Sequence, residues 1–410
     1  MIDAKKYIEE IDKKQDKLTS LSDEIWGYAE TAFTEFQSVE ALQKFFESEG
    51  FLVTPHAYGV ETAFTAEYGS GTPKVGVLGE FDALSGLSQV SDLIEKKAVT
   101  EGASGHGCGH NIIATCAVGA FMGIASLIDE YDGEVSIIGT PAEEGGAGKV
   151  ILLERGAFDE TDYALMMHPS GGGSNLVGRG GRAATRIRVS FHGKAAHSSS
   201  PSNGINALSA AIHVFNQIDL MRSTFQVQDN INGIILEGGT AANVIPELAK
   251  CEFSLRAETM LRIKELIRFV TSCIEHAEAL TGAKAEVSVE PIYAERYPNK
   301  PMCQAFKNNM ESLGIQMTWA EPGKLYGSSD IGNVSIKIPA IHDYLSITDD
   351  KTIQSHSKEY TKAAATPQAD EICLKGAKGL AMTALDILES SEFRSEINAY
   401  HDAQVPKEYR

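Results

Sequence analysis

The stretch Glu134-Val135-Ser136-Ile137-Ile138-Gly139-Thr140-Pro141-Ala142-Glu143-Glu144-Gly145-Gly146 decides the reading of this chain. An apolar, β-branched run ends abruptly in two adjacent carboxylates set among glycines, which reads as a buried strand delivering acidic groups to a loop. A helix after Gly148 follows, and then a second apolar strand, Tyr163 to Met167, which ends in His168-Pro169. Upstream, Lys74 to Leu78 is a further strand ending in Gly79-Glu80-Phe81-Asp82, after a strand-like run at Thr62 to Glu67. A long apolar helix is expected from Asn111 to Leu127, and the first 50 residues read as helices, the second closed by Gly50. Alternation of this kind predicts an α/β fold with a mixed, mainly parallel sheet, and in such sheets ligands sit beyond the carboxyl ends of the strands.

Between Arg186 and Pro291 the rhythm changes. Strand Thr185 to Phe191, helix Asn206 to Ile218, strands Gly233 to Leu236 and Ala249 to Arg256, helix Leu261 to Leu280 and strand Ala285 to Val289 give the order β-α-β-β-α-β. That is a ferredoxin-like unit of about 100 residues. It reads as a lid, 185–292, inserted into a discontinuous catalytic domain made of 1–184 and 293–410. A last helix is expected through Ala377 to Leu388, and Tyr400 to Arg410 reads as a polar tail.

The chain has 410 residues, too many for one typical core, and 36 basic against 56 acidic side chains give a net charge of −20. Phosphate binding needs a clustered basic face, so a nucleic-acid partner is not expected. No apolar run approaches the roughly 20 residues of a membrane-spanning helix, and the charged start, Met1 to Glu10, is unlike a signal peptide, so a cytoplasmic location without membrane contact is expected. Six cysteines, at 108, 116, 251, 273, 303 and 373, are too sparse and irregular for a disulfide scaffold.

Gly105-His106-Gly107-Cys108-Gly109-His110 opens the long apolar helix. Cysteine and histidine two positions apart at a glycine-rich turn can face one point, and thiolate and imidazole suit zinc and other borderline divalent metals. A glycine-rich turn with a buried thiol would read the same way. Glu143 and Glu144 repel each other where solvation is poor, a conflict that a bound cation removes; one could ligate while the other moves protons. A solvated acidic loop is the bland alternative. His168, and His356 in Gln354-Ser355-His356-Ser357, each carry little weight alone. Their coincidence with Cys108, His110, Glu143 and Glu144 at strand ends of one sheet suggests a single site. No Gly-x-Ser-x-Gly elbow occurs, Gly148-Lys149-Val150 breaks a P-loop pattern, and Gly178-x-Gly180-x-x-Ala183 lacks a following helix.

Six motifs in order, Gly105 to Asn111, Pro141 to Gly146, Met167-His168-Pro169, Gly193-Lys194-Ala195-Ala196-His197, Gly238 to Asn243 and Gly327-Ser328-Ser329-Asp330, resemble the aminoacylase/carboxypeptidase metallopeptidase family (M-20). The likeness covers nearly the whole chain. Gly79 to Leu84 and Gly332-Asn333-Val334-Ser335 draw it to the amidohydrolase branch, near the p-aminobenzoyl-glutamate hydrolase and β-alanyl-lysine-type dipeptidase group.

The resemblance implies a divalent-metal-dependent amidohydrolase or dipeptidase. It would cleave an amide bond beside a free carboxylate, in a dipeptide, N-acyl amino acid or p-aminobenzoyl-glutamate-like conjugate, by attack of metal-activated water. Cys108, His110, Glu144, His168 and His356 would hold one or two ions, zinc favoured by the thiolate and manganese also accepted by the other ligands. Glu143 would be the general base and Asp82 would orient a ligand. In the lid, His197 would stabilise the oxyanion, often across a dimer, and Asn243 and Arg256 would hold the substrate carboxylate. The lid would form a homodimer interface. Glu80 stands where many relatives have a histidine, and Cys108 where many have a bridging aspartate. Without the resemblance, Arg256 could instead be a surface ion pair with Glu252 or Glu258, and the whole chain a metal-bound binding protein that grips a conjugate without hydrolysing it.

Overall fold

The computed structural model describes residues 5–88, 90, 98–324 and 326–409. The chain opens with α1 (Lys5–Lys13), α2 (Gln15–Tyr28) and α3 (Phe36–Ser48). Strands β1 (Val53–Pro55), β2 (Phe64–Ser70) and β3 (Lys74–Gly79) follow, then α4 (His110–Ala125), β4 (Gly133–Gly139), α5 (Gly148–Glu154), β5 (Tyr163–Ser170) and β6 (Leu176–Val177). Every residue of α4 is buried, as its all-round apolar sequence requires. It packs against α2 and α11 (Pro367–Glu389) and against β3 and β5. Gly119 permits that approach, since a Cβ there would come within 2.9 Å of the Ala377 methyl.

Next come β7 (Ala183–His192), α6 (Ala207–Met221), β8 (Asn230–Glu237), β9 (Leu248–Ala257), α7 (Met260–Thr281) and β10 (Lys284–Val289). They form an antiparallel sheet in the order β10-β7-β9-β8. Along β9 buried and half-exposed residues alternate, the period of a sheet with one covered face. Helices α6 and α7 supply the cover, each started by a side-chain cap, Asn206 to the Ser209 amide and Thr259 to the Arg262 amide. Ile187, Val189, Phe191, Val214, Phe253, Leu255, Leu266 and Val270 belong to a core of this sheet's own.

The remainder is α8 (Lys300–Ser312), β11 (Thr318–Trp319), α9 (Ile331–Lys337), β12 (Ala340–Ser346), α10 (Lys358–Ala363), α11 and α12 (Ser391–Gln404). The larger sheet runs β1-β2-β4-β3-β5-β12-β6-β11, and its central β4, β3, β5 and β12 are mutually parallel. This is a mixed, mainly parallel sheet with helices, an α/β fold.

Two compact units result: Met1–Gly180 with Arg296–Lys324 and Asn333–Arg410, and Gly181–Glu295 with Leu325–Gly332. The short segment 325–332 of the second unit comes from beyond the β-α-β-β-α-β stretch and was not anticipated from the strand order. The expected polar tail is a correction. Tyr400 lies in α12, and the helix anchors itself through buried Ile397 and His401, with Val405 buried just beyond its end and the His401 ring nitrogen Nε2 bonded to the Ser335 carbonyl at 3.0 Å. Arg410 lies outside the described residues. Among the described residues no helix is long and apolar enough to cross a membrane, and all six cysteines are buried and free.

Candidate metal centre

Parallel strands end at one edge of a sheet, so β3, β4 and β5 carry their following residues to one place. Glu80 and Asp82 follow β3, Glu143 and Glu144 follow β4, and His168 is the sixth residue of β5. Cys108 and His110 arrive on the turn into α4. Gly109 makes that turn at φ +74° and lies against Pro169, so a side chain there would be strained and would collide with the proline ring. His356 reaches the same place from the loop before α10, in the left-handed region at φ +63° and with its amide donating to the Gly107 carbonyl at 2.6 Å.

Three overlapping groups of ligand atoms lie within 4.8 Å of one another: Cys108, His110 and His168; Cys108, Glu144 and His356; and Glu80, His110 and Glu143. Cys108 Sγ is 3.5 Å from His168 Nε2, His110 Nε2 is 3.4 Å from Glu80 Oε2 and 3.8 Å from Glu144 Oε1, and His356 Nε2 is 3.4 Å from Glu144 Oε1. His110 Nε2 and Glu144 Oε1 are buried and make no hydrogen bond. Buried polar atoms are nearly always satisfied, and a cation among these groups would satisfy both. The donor set of one thiol, three imidazoles and carboxylates fits a divalent cation.

The surrounding residues fix these groups. Asp82 Oδ1 accepts from His110 Nδ1 at 2.9 Å, leaving Nε2 as the ligating nitrogen, and Asp82 Oδ2 accepts from the Glu144 amide at 2.8 Å. Burial opposes ionisation of Asp82, but His110 and the Glu144 and Glu143 amides outweigh it and hold the carboxyl below its usual range. Burial likewise opposes charge on His110, yet Cys108, Asp82 and Glu80 hold the ring well above the usual histidine range. Burial, reinforced by Glu144, pushes the Cys108 thiol far up; burial and His110 push His168 far down. The anionic surplus thus holds protons that a cation would displace. The loop carrying Glu143 is pinned by Glu35, whose Oε1 accepts from the Ala142 amide at 2.9 Å, with Ala142 at φ +60°.

Sequence reasoning treated Glu80 only as a departure and dismissed Lys149 with the P-loop pattern. Both side chains are fully buried, and the Lys149 ammonium donates to Glu80 Oε1. The available signal was a lone lysine heading the apolar run Val150-Ile151-Leu152-Leu153. Tyr344 and His342 were also missed: the Tyr344 ring stacks on His168 with centroids 5.0 Å apart, and the His342 ring lies 5.2 Å from His168.

Three further expected residues lie in the second unit. His197 is exposed, and its Nδ1 accepts from the Ser199 amide at 3.2 Å and lies 2.8 Å from Ser199 Oγ, which leaves Nε2 as the ring's N–H. Asn243 is exposed, and its carbonyl accepts from the Ser198 amide at 3.0 Å, beside His197. Arg256, half-buried on β9, donates to Ser328 Oγ at 3.0 Å. Glu252, the alternative partner for Arg256, is bound instead by Arg188 at 2.8 Å.

Residues 77–384 match the model of peptidase family M20/M25/M40. The Xaa-Arg dipeptidase of Mus musculus is 34% identical over 93% of this chain and 88% of its own. A chain of the p-aminobenzoyl-glutamate hydrolase of Escherichia coli is 32% identical over 74% of this chain and 64% of its own. Among solved structures, the YXEP protein of Bacillus subtilis, described as a dinuclear metal binding peptidase, superposes with a TM-score of 0.63 at 21% identity, over 92% of this chain and 99% of that one.

Proposed function

The chain belongs to peptidase family M20/M25/M40, a family of metal-dependent hydrolases of amide and peptide bonds, and from that premise we propose that it is a dipeptidase or amidohydrolase acting beside a free carboxylate. The observation that carries this reading is the gathering of Cys108, His110, Glu144, His168 and His356, with two buried ligand atoms left without hydrogen bonds. These five side chains would hold the metal, zinc or manganese, as one ion or two. When bound, the cation supplies Lewis-acid polarisation of the scissile carbonyl and acidifies water.

Glu143 is the general base: it takes a proton at its carboxylate from the attacking water and delivers it to the leaving nitrogen. Its half-buried position, next in sequence to Glu144, suits that traffic. Asp82 acts through His110 by fixing its tautomer. In the lid, His197 offers an Nε2–H to the developing oxyanion, and Arg256 with Asn243 holds the substrate carboxylate. These roles accord with a catalytic domain, 1–184 with 293–410, and a lid, 185–292, to which the second compact unit adds segment 325–332. The lid also serves as a homodimer interface: edge strand β8 exposes Ile234, Ile235 and Leu236, an apolar stretch that a second copy would cover. The substrate is a small dipeptide or acyl amino acid. A basic carboxyl-terminal residue fits both the Xaa-Arg dipeptidase relative and a chain of net charge −20. We infer a cytoplasmic reaction from the charged start of the sequence, Met1 to Glu10.

Glu143→Gln tests the assignment. The variant should keep the metal content of the parent and lose hydrolysis by at least about a hundredfold. Hydrolysis within about tenfold of the parent would remove Glu143 from the role.

A further inference from the structure

Strand β12 carries His342 and Tyr344 on one face, since alternate residues share a side of a strand, and its register sets Tyr344 opposite His168 and His342 opposite Met166. Arg296, itself buried, donates from Nη1 to Tyr344 Oη at 2.7 Å and faces His342 Nδ1 at 2.9 Å. A guanidinium has donors only, so His342 Nδ1 must accept, and the ring hydrogen resides on Nε2. That Nε2–H is buried and makes no hydrogen bond, in a residue 5% exposed, one ring away from His168. A donor desolvated in this way is costly unless an acceptor visits it. The Arg179 guanidinium lies 4.2 Å from the centre of the Tyr344 ring and that of Arg296 5.9 Å, so the surroundings favour an oxygen with negative charge.

We infer that His342 touches the substrate: its Nε2–H donates to a substrate oxygen that bears or develops negative charge beside the metal centre, and Arg296 is the positioning residue that fixes the tautomer. This rests on the amide-hydrolase reading above. The oxygen belongs either to the substrate carboxylate or to the reacting carbonyl.

The test uses the metal-loaded full chain, with His342→Met and His342→Gln, against a dipeptide and its carboxyl-amidated form. Methionine removes the donor, whereas the glutamine amide can place an N–H near the Nε2 position. His342→Met should lower kcat/KM by at least about tenfold with metal content and metal Kd within about twofold of the parent, and His342→Gln should recover part of the loss. A loss confined to the free-carboxylate substrate assigns the oxygen to the carboxylate; an equal loss on both assigns it to the reacting carbonyl. Activity of His342→Met within about twofold of the parent, or a loss that follows loss of metal, overturns the inference.

A second readout stands apart from turnover and from the folding of the methionine variant. The nitrogen-15 histidine spectrum of the parent should show His342 protonated on Nε2, its signal identified by its absence in His342→Gln, and should shift on titration with a free amino acid product. An Nδ1-protonated ring, or no shift at saturating amino acid, overturns it. A metal-loaded parent that hydrolyses none of the substrates would refute the functional reading instead, and the spectrum would still decide the contact of His342.

Discussion

Replacing Lys149 with methionine should destabilise the first unit out of proportion to the atoms lost. Methionine fills most of the lysine stem, so little cavity forms, and what disappears is the ammonium on Glu80 Oε1. Both side chains are at 0% exposure, and His110 Nε2 lies 3.4 Å from Glu80 Oε2, at the edge of the metal centre. Stripping the lysine from such a pair leaves the Glu80 carboxylate to be compensated by His110, at a cost of up to about 3–5 kcal/mol. Glu80→Gln in the Lys149→Met background removes the stranded charge, so the double variant should recover about 2 kcal/mol or more.

The assay is denaturant unfolding of metal-free protein followed by tryptophan fluorescence, because Trp26 and Trp319 are the chain's two tryptophans and both lie in the first unit. Adding zinc or manganese should shrink the Lys149→Met deficit, since a cation beside Glu80 replaces the missing positive charge. A loss below about 1 kcal/mol, or a double variant no more stable than Lys149→Met, would refute the claim that the pair neutralises this edge of the centre.

Two other outcomes follow from the same geometry. Arg256→Ala should raise KM for free-carboxylate substrates by about 10- to 100-fold, the worth of a hydrogen bond to a charged group, and leave amidated substrates nearly unchanged; equal effects on both would reject the anchor. Burial pushes the Asp343 carboxyl from 3.8 up to about 7, so the folded chain holds a proton that the unfolded chain releases. The stability this proton contributes is complete below about pH 4 and lost as pH rises through about 7. Asp343→Asn should therefore flatten this group's part of the decline in stability over that window, while Glu35, also pushed to about 7 by burial, and Asp370, pushed to about 6, keep theirs; an unchanged slope would contradict the assignment.

Much of the centre was legible because its residues sit where the chain changes period. Glu143 and Glu144 end an apolar strand, His168 ends another, and Cys108 and His110 open an apolar helix, so a sheet of parallel strands had to bring them together. The role of Lys149 is not legible in the sequence, because its partner Glu80 is 69 positions away and only the fold makes them neighbours. His342 and Tyr344 were hidden inside β12, whose seven residues are all buried, where polar side chains carry no alternation to mark them. The C-terminal helix escaped notice because Phe393, Ile397, His401 and Val405 form a stripe one residue wide, with a histidine in it, on an otherwise polar segment. In the smaller sheet the alternation along β7 and β9 and the apolar spacing of α6 and α7 made every element visible, whereas segment 325–332 has no periodicity to announce which unit it joins.

The most direct measurement is hydrolysis of a dipeptide panel, with basic, acidic and neutral carboxyl-terminal residues, by metal-depleted protein before and after addition of zinc or manganese. The account predicts no turnover in the depleted protein, recovery on adding the metal, and preference for a basic carboxyl-terminal residue with a free carboxylate. Full hydrolysis by metal-free protein would contradict it.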